Sequence, residues 1–170
     1  MMYKDPQVEM TSVFGDASQP SQAGTFMDKL VGAGKRLLTG ESLFTTLFTN
    51  TGGGKARVAF GAPYPGNIIP MTLANLGGRL ICQKDSFLCA ARGVSLGIAF
   101  QRKILTGLFG GEGFIMQKLE GDGLVFVHAG GTLIERELAA GEVVHVDTGC
   151  VVAYQSSVDF DIQQAGGIKT

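Results

Sequence analysis

The sequence predicts an all-β fold, and its composition and local patterning support that prediction. Glycine supplies 26 of the 170 residues, and charged side chains make up only 17%. An average domain has about 7% glycine and about a quarter charged residues. Short apolar segments also alternate with turn residues along most of the chain, as in sandwiches and barrels. We therefore expect repeated β-sandwich or barrel units with many tight turns.

A loose internal repeat sets the expected domain organisation. The residues around Thr39 are echoed around Thr106, an offset of 106 − 39 = 67, and those around Asp85 are echoed around Asp147, an offset of 147 − 85 = 62. Units of this size bury too little apolar surface to fold alone, so they would share one core. We expect a single domain over residues 1–170, with copies at about 38–100 and 105–165 and a third beginning at 166.

The N-terminal part of the chain combines a strand, a loop and a helix. Residues 7–14 are predicted to form a strand, and residues 15–24, rich in Ser, Gln, Gly and Pro, have the composition of a loop. Apolar residues then recur at helical spacing after Thr25, a suitable N-cap. One short helix is therefore expected near residues 25–38.

Two series of strands are predicted beyond residue 42. The first comprises residues 43–49, 56–60, 68–73, 80–83, 87–91 and 94–99. The second comprises residues 113–119, 124–128, 133–138, 143–146, 151–155 and 158–163. Gly-Asp-Gly at 121–123 is typical of a β-hairpin, because glycine accepts the positive φ of tight turns, and Gly52-Gly53-Gly54 holds the corresponding place in the first copy.

Charge and cysteine usage limit the classes of partner. A net charge of −1 gives no long-range field to attract nucleic acid or an anionic membrane. The three cysteines are an odd number within apolar runs, which favours a reducing compartment. No apolar run approaches the roughly 18 residues of a membrane helix, and the start of the chain lacks a signal-peptide profile. We expect a cytoplasmic protein that self-associates, because few charges are available to cover its surface.

Two glycine-lysine segments resemble phosphate-binding loops only superficially. Such a loop needs a glycine separated by four residues from the Gly-Lys pair and a Ser or Thr directly after that pair. The segments ending at Lys35 and Lys55 meet neither condition. A hairpin and a helix end explain these glycines, and no cofactor is expected.

The candidate metal ligands are His128, His145 and Asp147. A strand over His145-Val146-Asp147 would place an imidazole and a carboxylate on the same side, while His128 would come from another strand. No third good ligand is apparent, so satisfied or exposed strand histidines are the preferred interpretation. Cys150 near His145 is the one nucleophile-base pairing, and its apolar surroundings favour core packing, which silences a thiol.

The strongest interaction candidate is the rigid loop around Tyr64. Pro63 and Pro65 fix the backbone on either side of this ring, and an aromatic on a stiff loop loses little entropy on docking. Packing of Tyr64 onto its own domain is the equal alternative. Glu41 and Glu112 recur beside glycines at matching positions, as paired carboxylates of an assembled ring or, by preference, as turn-stabilising side chains.

Several segments in order resemble a known family. They are Gly40-Glu41-Ser42-Leu43-Phe44, the stretch from Pro63 to Pro70, Phe109-Gly110-Gly111-Glu112-Gly113-Phe114, and the closing Gly166-Gly167-Ile168-Lys169-Thr170. Together they are similar to the altered-inheritance-of-mitochondria family, whose bacterial members carry a domain like the ring-forming tryptophan RNA-binding attenuator protein. The resemblance covers nearly the whole chain.

The resemblance implies a fold related to the double-stranded β-helix, assembled as a symmetric trimer. Mitochondrial members are associated with inner-membrane organisation, and the family supplies no catalytic residues to transfer. Members usually have a strand or two before the match to residues 1–6 and a further β segment after the match to 166–170, so the chain is expected to be truncated at both ends.

The sequence leaves three alternative functions open. The leading hypothesis is a non-enzymatic oligomeric β-domain that acts as a scaffold or interaction module, with a protein or membrane-protein partner. The second is a metal- or small-molecule-binding barrel enzyme centred on His128, His145 and Asp147. The third is an RNA-binding ring, which the sparse Lys and Arg residues disfavour.

Overall fold

The computed structural model describes residues 1–14, 44–102 and 113–163. The predicted loop at 15–24, the predicted helix at 25–38, the residues Glu41 and Glu112, and the closing segment at 166–170 lie outside the described residues. The predicted all-β class is confirmed, since every regular element in the described part is a strand or a single 3-10 turn.

The strands of the described part follow the predicted series closely as far as residue 130. They are β1 (Tyr3–Lys4), β2 (Val8–Phe14), β3 (Phe44–Asn50), β4 (Val58–Ala59), β5 (Gly66–Thr72), β6 (Arg79–Gln83), β7 (Phe87–Ala90), β8 (Ser95–Arg102), β9 (Phe114–Glu120), β10 (Leu124–Gly130) and β11 (Ala153–Gln155). Three 3-10 turns, Leu73–Leu76, Lys84–Ser86 and Thr148–Cys150, separate some of them.

The described strands form four sheets, and all their pairings are antiparallel. Two larger sheets have the strand orders β5-β10-β7 and β11-β6-β9-β8. Two smaller sheets consist of β1 with β4 and β2 with β3. Strands distant in sequence therefore pair in a nested order: β1 with β4 around β2 with β3, and β5 with β10 around β6 with β9.

The main core lies between the two larger sheets. Its fully buried residues are Leu73, Leu80, Cys82, Val94, Leu96, Leu119, Val125 and Val127. Leu80 and Leu119 belong to the four-stranded sheet, whereas Val125 and Val127 come from β10 in the three-stranded sheet. This packing of one sheet on another is the sandwich arrangement that the period-two patterning favours.

A second cluster covers the opposite face of the four-stranded sheet. Ile81, Phe114 and Met116 are buried there. Phe160 packs on Phe114 and Tyr154, with ring centroids 5.9 and 5.4 Å away. Burial in this cluster raises the pKa of Tyr154 to about 12. The central strands β6 and β9 thus bury apolar side chains on both faces, as their near-continuous apolar sequence requires.

The predicted hairpins at 121–123 and 52–54 are wrong. The turn at 121–123 joins β9 to β10, which lie in different sheets, and Gly52 to Gly54 likewise join β3 to β4, which pair with different strands. The Gly121 N–H donates to the Gly78 carbonyl over 3.0 Å, and the Leu73 N–H donates to the Gly123 carbonyl over 3.0 Å. Glycine suits the turn between β9 and β10 because Gly121 has a φ of 138° and a close backbone neighbour.

Three predicted strands near the C-terminal end are not formed. Residues 133–138, 143–146 and 158–163 have strand-like sequences but belong to no ladder in the described part of the chain. A turn closes residues 139–142, where the Glu142 N–H donates to the Ala139 carbonyl over 3.0 Å. Period-two patterning reports which residues suit a strand, whereas a strand also needs a neighbour to pair with.

Candidate interaction surface

The outer face of the three-stranded sheet carries an apolar groove of about 420 Å³. Alternation along β10 creates it: Val125, Val127 and Ala129 point into the core, whereas Leu124 and Phe126 point outward. Strands β4, β5 and β7 supply the rest of the wall. The lining residues are Val58, Phe60, Ile68, Leu88, Cys89, Ala90, Ala91, Leu124 and Phe126.

The lining of this groove contains no charged side chain. Ile68 is 45% exposed and Leu124 is 38% exposed, although both belong to paired strands. Burial raises the pKa of the Cys89 thiol, so the one sulfur in the lining is predominantly protonated near neutral pH. The groove is therefore suited to apolar contact rather than to chemistry.

Tyr64 lies beside the groove and covers His128. The two rings meet edge to face, with centroids 4.5 Å apart, and His128 is only 2% exposed while Tyr64 keeps half of its surface exposed. Pro63 and Pro65 flank the ring and are exposed. Tyr64 thus packs on its own domain through His128 while half of its surface stays exposed.

Two glycines, Gly66 and Gly130, lie in close contact with their neighbours where the Tyr64 loop meets the sheet. A Cβ at Gly66 would lie 2.3 Å from the Ala129 carbonyl oxygen and 2.7 Å from the His128 Nε2, and a Cβ at Gly130 would lie 3.1 Å from the Tyr64 ring. Contacts this short exclude a side chain at Gly66 unless the backbone moves. Gly130 therefore leaves room for the Tyr64 ring, whereas Gly66 allows the close approach of its backbone to Ala129 and His128.

Neither ring nitrogen of His128 has a hydrogen-bond partner in the part of the chain that the structure describes. Buried polar atoms are paired in the great majority of cases, so an unpaired imidazole marks an unusual position. Its neighbours are the Tyr64 ring and the backbone at Gly66. The edge-to-face contact with Tyr64 is the main side-chain contact of this imidazole among the described residues.

The candidate metal ligands do not form a cluster. His145 and Asp147 are exposed, whereas His128 is buried. The Asp147 carboxylate accepts the Gly149 N–H over 2.9 Å and so caps the 3-10 turn Thr148–Cys150. Across residues 1–14, 44–102 and 113–163, no group of three or more His, Cys, Asp or Glu side chains is placed to hold a metal ion.

The three cysteines have different environments. Cys82 is fully buried, and burial raises the pKa of its thiol to about 12. The prediction that Cys150 packs in the core is wrong, since this residue is exposed at the end of a 3-10 turn. The apolar run that suggested burial begins only after it, at Val151.

The sequence identified the Tyr64 loop but missed the groove. The sequence at 124–127 is apolar at every position, so it does not show that Leu124 and Phe126 face outward. What the sequence lacked was the pairing of β10 between β5 and β7, which brings Ile68 and Cys89 beside Phe126. The roles proposed for Pro63, Tyr64 and Pro65 stay predictions.

Among the described residues, no helix has the length and apolar character needed to cross a membrane.

Comparison with known proteins identifies the family. The profile of the family described as mitochondrial biogenesis AIM24 matches residues 1–170. An uncharacterized protein of Streptococcus pyogenes serotype M6 is 32% identical over 147 residues, which cover 85% of this chain and 56% of that protein. The chain thus spans about half the length of this curated relative. These matches show that the chain belongs to the AIM24 mitochondrial biogenesis family.

Proposed function

We propose that this protein is a non-enzymatic, self-assembling β-domain that acts as a scaffold or interaction module. Its active species is a homo-oligomer, a trimer, whose exposed apolar surfaces contact sister copies and a protein or membrane-protein partner. The proposal includes a cytoplasmic location, which the cysteine usage favours, and a role in organising a membrane-associated assembly, which the family resemblance implies.

The main support for this proposal is the uncharged groove on the outer face of the three-stranded sheet. Its aliphatic and aromatic side chains come from four strands and meet in one continuous surface. Contiguous apolar patches on a protein surface mark contact sites more often than isolated exposed residues do. Self-assembly would remove this surface from water and add to stability at about 25 cal/mol per Å² of apolar area.

The chemistry of the groove supports binding rather than catalysis. Its one sulfur, on Cys89, has a pKa raised by burial, and no titratable carboxylate or imidazole lines its walls. Tyr64 at the rim adds an aromatic edge held by two prolines, the kind of preorganised group that contributes to interfaces. A partner with an apolar, uncharged contact surface fits these features.

Light scattering of the full chain at micromolar concentration tests the proposal. We expect a discrete oligomer, and we expect Ile68→Glu to weaken it at least tenfold because a charge would be buried in the contact. Met10→Glu is the matched control, since Met10 is 48% exposed on β2 and does not line the groove. A wild-type protein that stays monomeric would contradict the proposal, as would equal association of both variants.

A further inference from the structure

Two stretches of the chain contain the same series of local features. Gly77 and Gly141 have positive φ values of 71° and 78° and are 141 − 77 = 64 residues apart. The 3-10 turns Lys84–Ser86 and Thr148–Cys150 begin 148 − 84 = 64 residues apart. Two independent features thus share one offset.

The residues that precede these 3-10 turns also have the same role. The Gln83 side chain accepts the Asp85 and Ser86 N–H groups, and the Asp147 side chain accepts the Gly149 N–H. Their φ and ψ angles agree closely, at −65° and 139° for Gln83 and −61° and 136° for Asp147. At the offset of 64, β5 corresponds to residues 130–136 and β6 to residues 143–147.

The corresponding segments differ in pairing. Strands β5 and β6 pair in nested order with β10 and β9, two consecutive strands joined by the turn at 121–123. Strands β1 and β2 pair in the same nested order with β4 and β3, which are joined through the glycines at 52–54. Residues 131–147, which we call the unpaired segment, have no such strand pair among the described residues.

The unpaired segment exposes both apolar side chains and backbone groups. Ile134 is 84% exposed and Val143 is 77% exposed. Four hydrogen bonds involve its backbone within the described part of the chain. The Glu142 N–H donates to the Ala139 carbonyl, the Ala139 N–H to the Glu142 carboxylate, the Asn67 amide to the Gly131 carbonyl, and the Cys150 N–H to the Asp147 carbonyl. Strand-competent residues with free N–H and C=O groups are templates for pairing with another chain.

We infer that the unpaired segment pairs, in a second copy of this chain, with the edges of β3 and β4 that have no neighbour among the described strands. The inference rests on the proposed self-assembly and adds a strand-pairing contact between the copies to the contact made through the groove. Among the glycine-linked strand pairs of the described residues, β9 and β10 each have neighbours on both sides, whereas β3 and β4 each have one neighbour. The β3–β4 pair therefore offers the kind of partner that the nested order requires.

The charges of the unpaired segment and of the β3–β4 region are opposite, which also favours contact between them. Residues 131–147 contain four acidic side chains and one basic one, a net charge of −3, whereas residues 44–60 contain Lys55 and Arg57 and no acidic side chain, a net charge of +2. Opposite charge on two docking segments speeds their encounter and fixes their register. Because different surfaces of each copy meet, the contact is head to tail and generates a ring when the rotation closes.

A charge-exchange experiment on the full chain tests this contact. One variant carries Lys55→Glu and Arg57→Glu, and the other carries Glu135→Lys and Glu137→Lys; all four residues are exposed. Sedimentation at low salt should show at least a tenfold weaker association for each variant alone and recovery when all four substitutions are combined in one chain. The matched controls, Arg92→Glu and Asp122→Lys, change exposed charges elsewhere and should associate like the wild type.

Backbone pairing has its own test. Val144→Pro removes one N–H from the unpaired segment, whereas Val144→Thr keeps it and a branched side chain. We expect the proline variant to associate at least tenfold more weakly than the threonine variant, with the same unfolding midpoint under monomeric conditions. Wild-type oligomers that tolerate both the charge reversals and the proline would overturn this contact and leave the proposed function standing, whereas a monomeric wild type would contradict the proposed function itself.

Discussion

Residues 66–90 and residues 130–154 show which features of the fold depend on neighbouring residues and which depend on contacts between distant residues. Both stretches have a glycine with positive φ, followed by a capped 3-10 turn at the same spacing. In the first stretch, β5 and β6 pair with other strands. In the second stretch, residues 131–147 form no paired strand in the described part of the chain. Turns and caps therefore form from neighbouring residues, but strands form only where partner strands are in reach.

The comparison predicts its largest effect at a pair of corresponding apolar positions. Leu80 in β6 is 1% exposed, and Val144 lies 144 − 80 = 64 residues later in the unpaired segment. Leu80→Ala should lower the free energy of unfolding by about 2–5 kcal/mol, because it opens a cavity in the main core. Val144→Ala should change it by less than about 0.5 kcal/mol under monomeric conditions. Denaturant unfolding of both variants measures the contrast, and equal losses would contradict it.

A second effect is expected where the Tyr64 loop meets the sheet. Gly66→Ala should destabilise the protein by about 1–3 kcal/mol, because the new methyl group would overlap the Ala129 carbonyl. Gly130→Ala should have a smaller effect, since its neighbour is the Tyr64 side chain, which can shift. Gly53→Ala is the control, because nothing lies within 4 Å of its added Cβ. Thermal unfolding that ranks Gly130 above Gly66 would contradict this reading of the contact.

The two glycines with matching positive φ give a smaller contrast. Gly77→Ala should lower the free energy of unfolding by about 1–2 kcal/mol, because an L-residue is strained in this conformation and the turn connects two paired strands. Gly141→Ala places the same strain in the unpaired segment, so the free energy of global unfolding should change by less than about 0.5 kcal/mol. Amide exchange of residues 139–142 should rise in that variant, and a large loss of global stability would show that the segment is already coupled to the core.

The smallest effect concerns the pH dependence of the turn at 139–142. The Ala139 N–H, and next the Arg136 guanidinium, hold the pKa of the Glu142 carboxylate below its ordinary value of 4.5. The ionised carboxylate therefore stabilises the turn above about pH 4.5, and that contribution is lost as the pH falls through the lowered pKa. An NMR titration of Glu142 should show a midpoint below 4.5, and Glu142→Gln should remove the accompanying change in amide exchange. A midpoint at or above 4.5 would contradict the hydrogen bond.

Much of the fold followed from the sequence because the strands up to residue 130 are specified by local patterns. The strands predicted at 68–73, 80–83 and 124–128 correspond to β5, β6 and β10. The hairpin prediction at 121–123 was wrong because a glycine turn specifies a change of direction but not whether the next strand joins the same sheet. The strand at 143–146 was wrong because its pattern is intact while its partner is absent from the described residues.

The candidate site was less predictable, since it depends on contacts between distant residues. The two prolines around Tyr64 were visible in the sequence, but the burial of His128 beneath that ring depends on the register that places it opposite Ile68. Cys150 was assigned to the core from the apolar residues after it, whereas the Asp147 cap holds its turn at the surface. Side-chain caps and long-range register are the two kinds of information that periodicity does not contain.

Pro70 affects which sheet edges of the molecule can pair with strands of other chains. It lies in the middle of β5, opposite Phe126, and β5 is an outer strand of its sheet. Proline has no amide hydrogen, so an incoming strand on this border would lack a donor at its centre. Fibril-like stacking is thereby discouraged on one side of the domain. Addition of strands from other chains is therefore favoured at sheet edges where every residue has a backbone N–H donor.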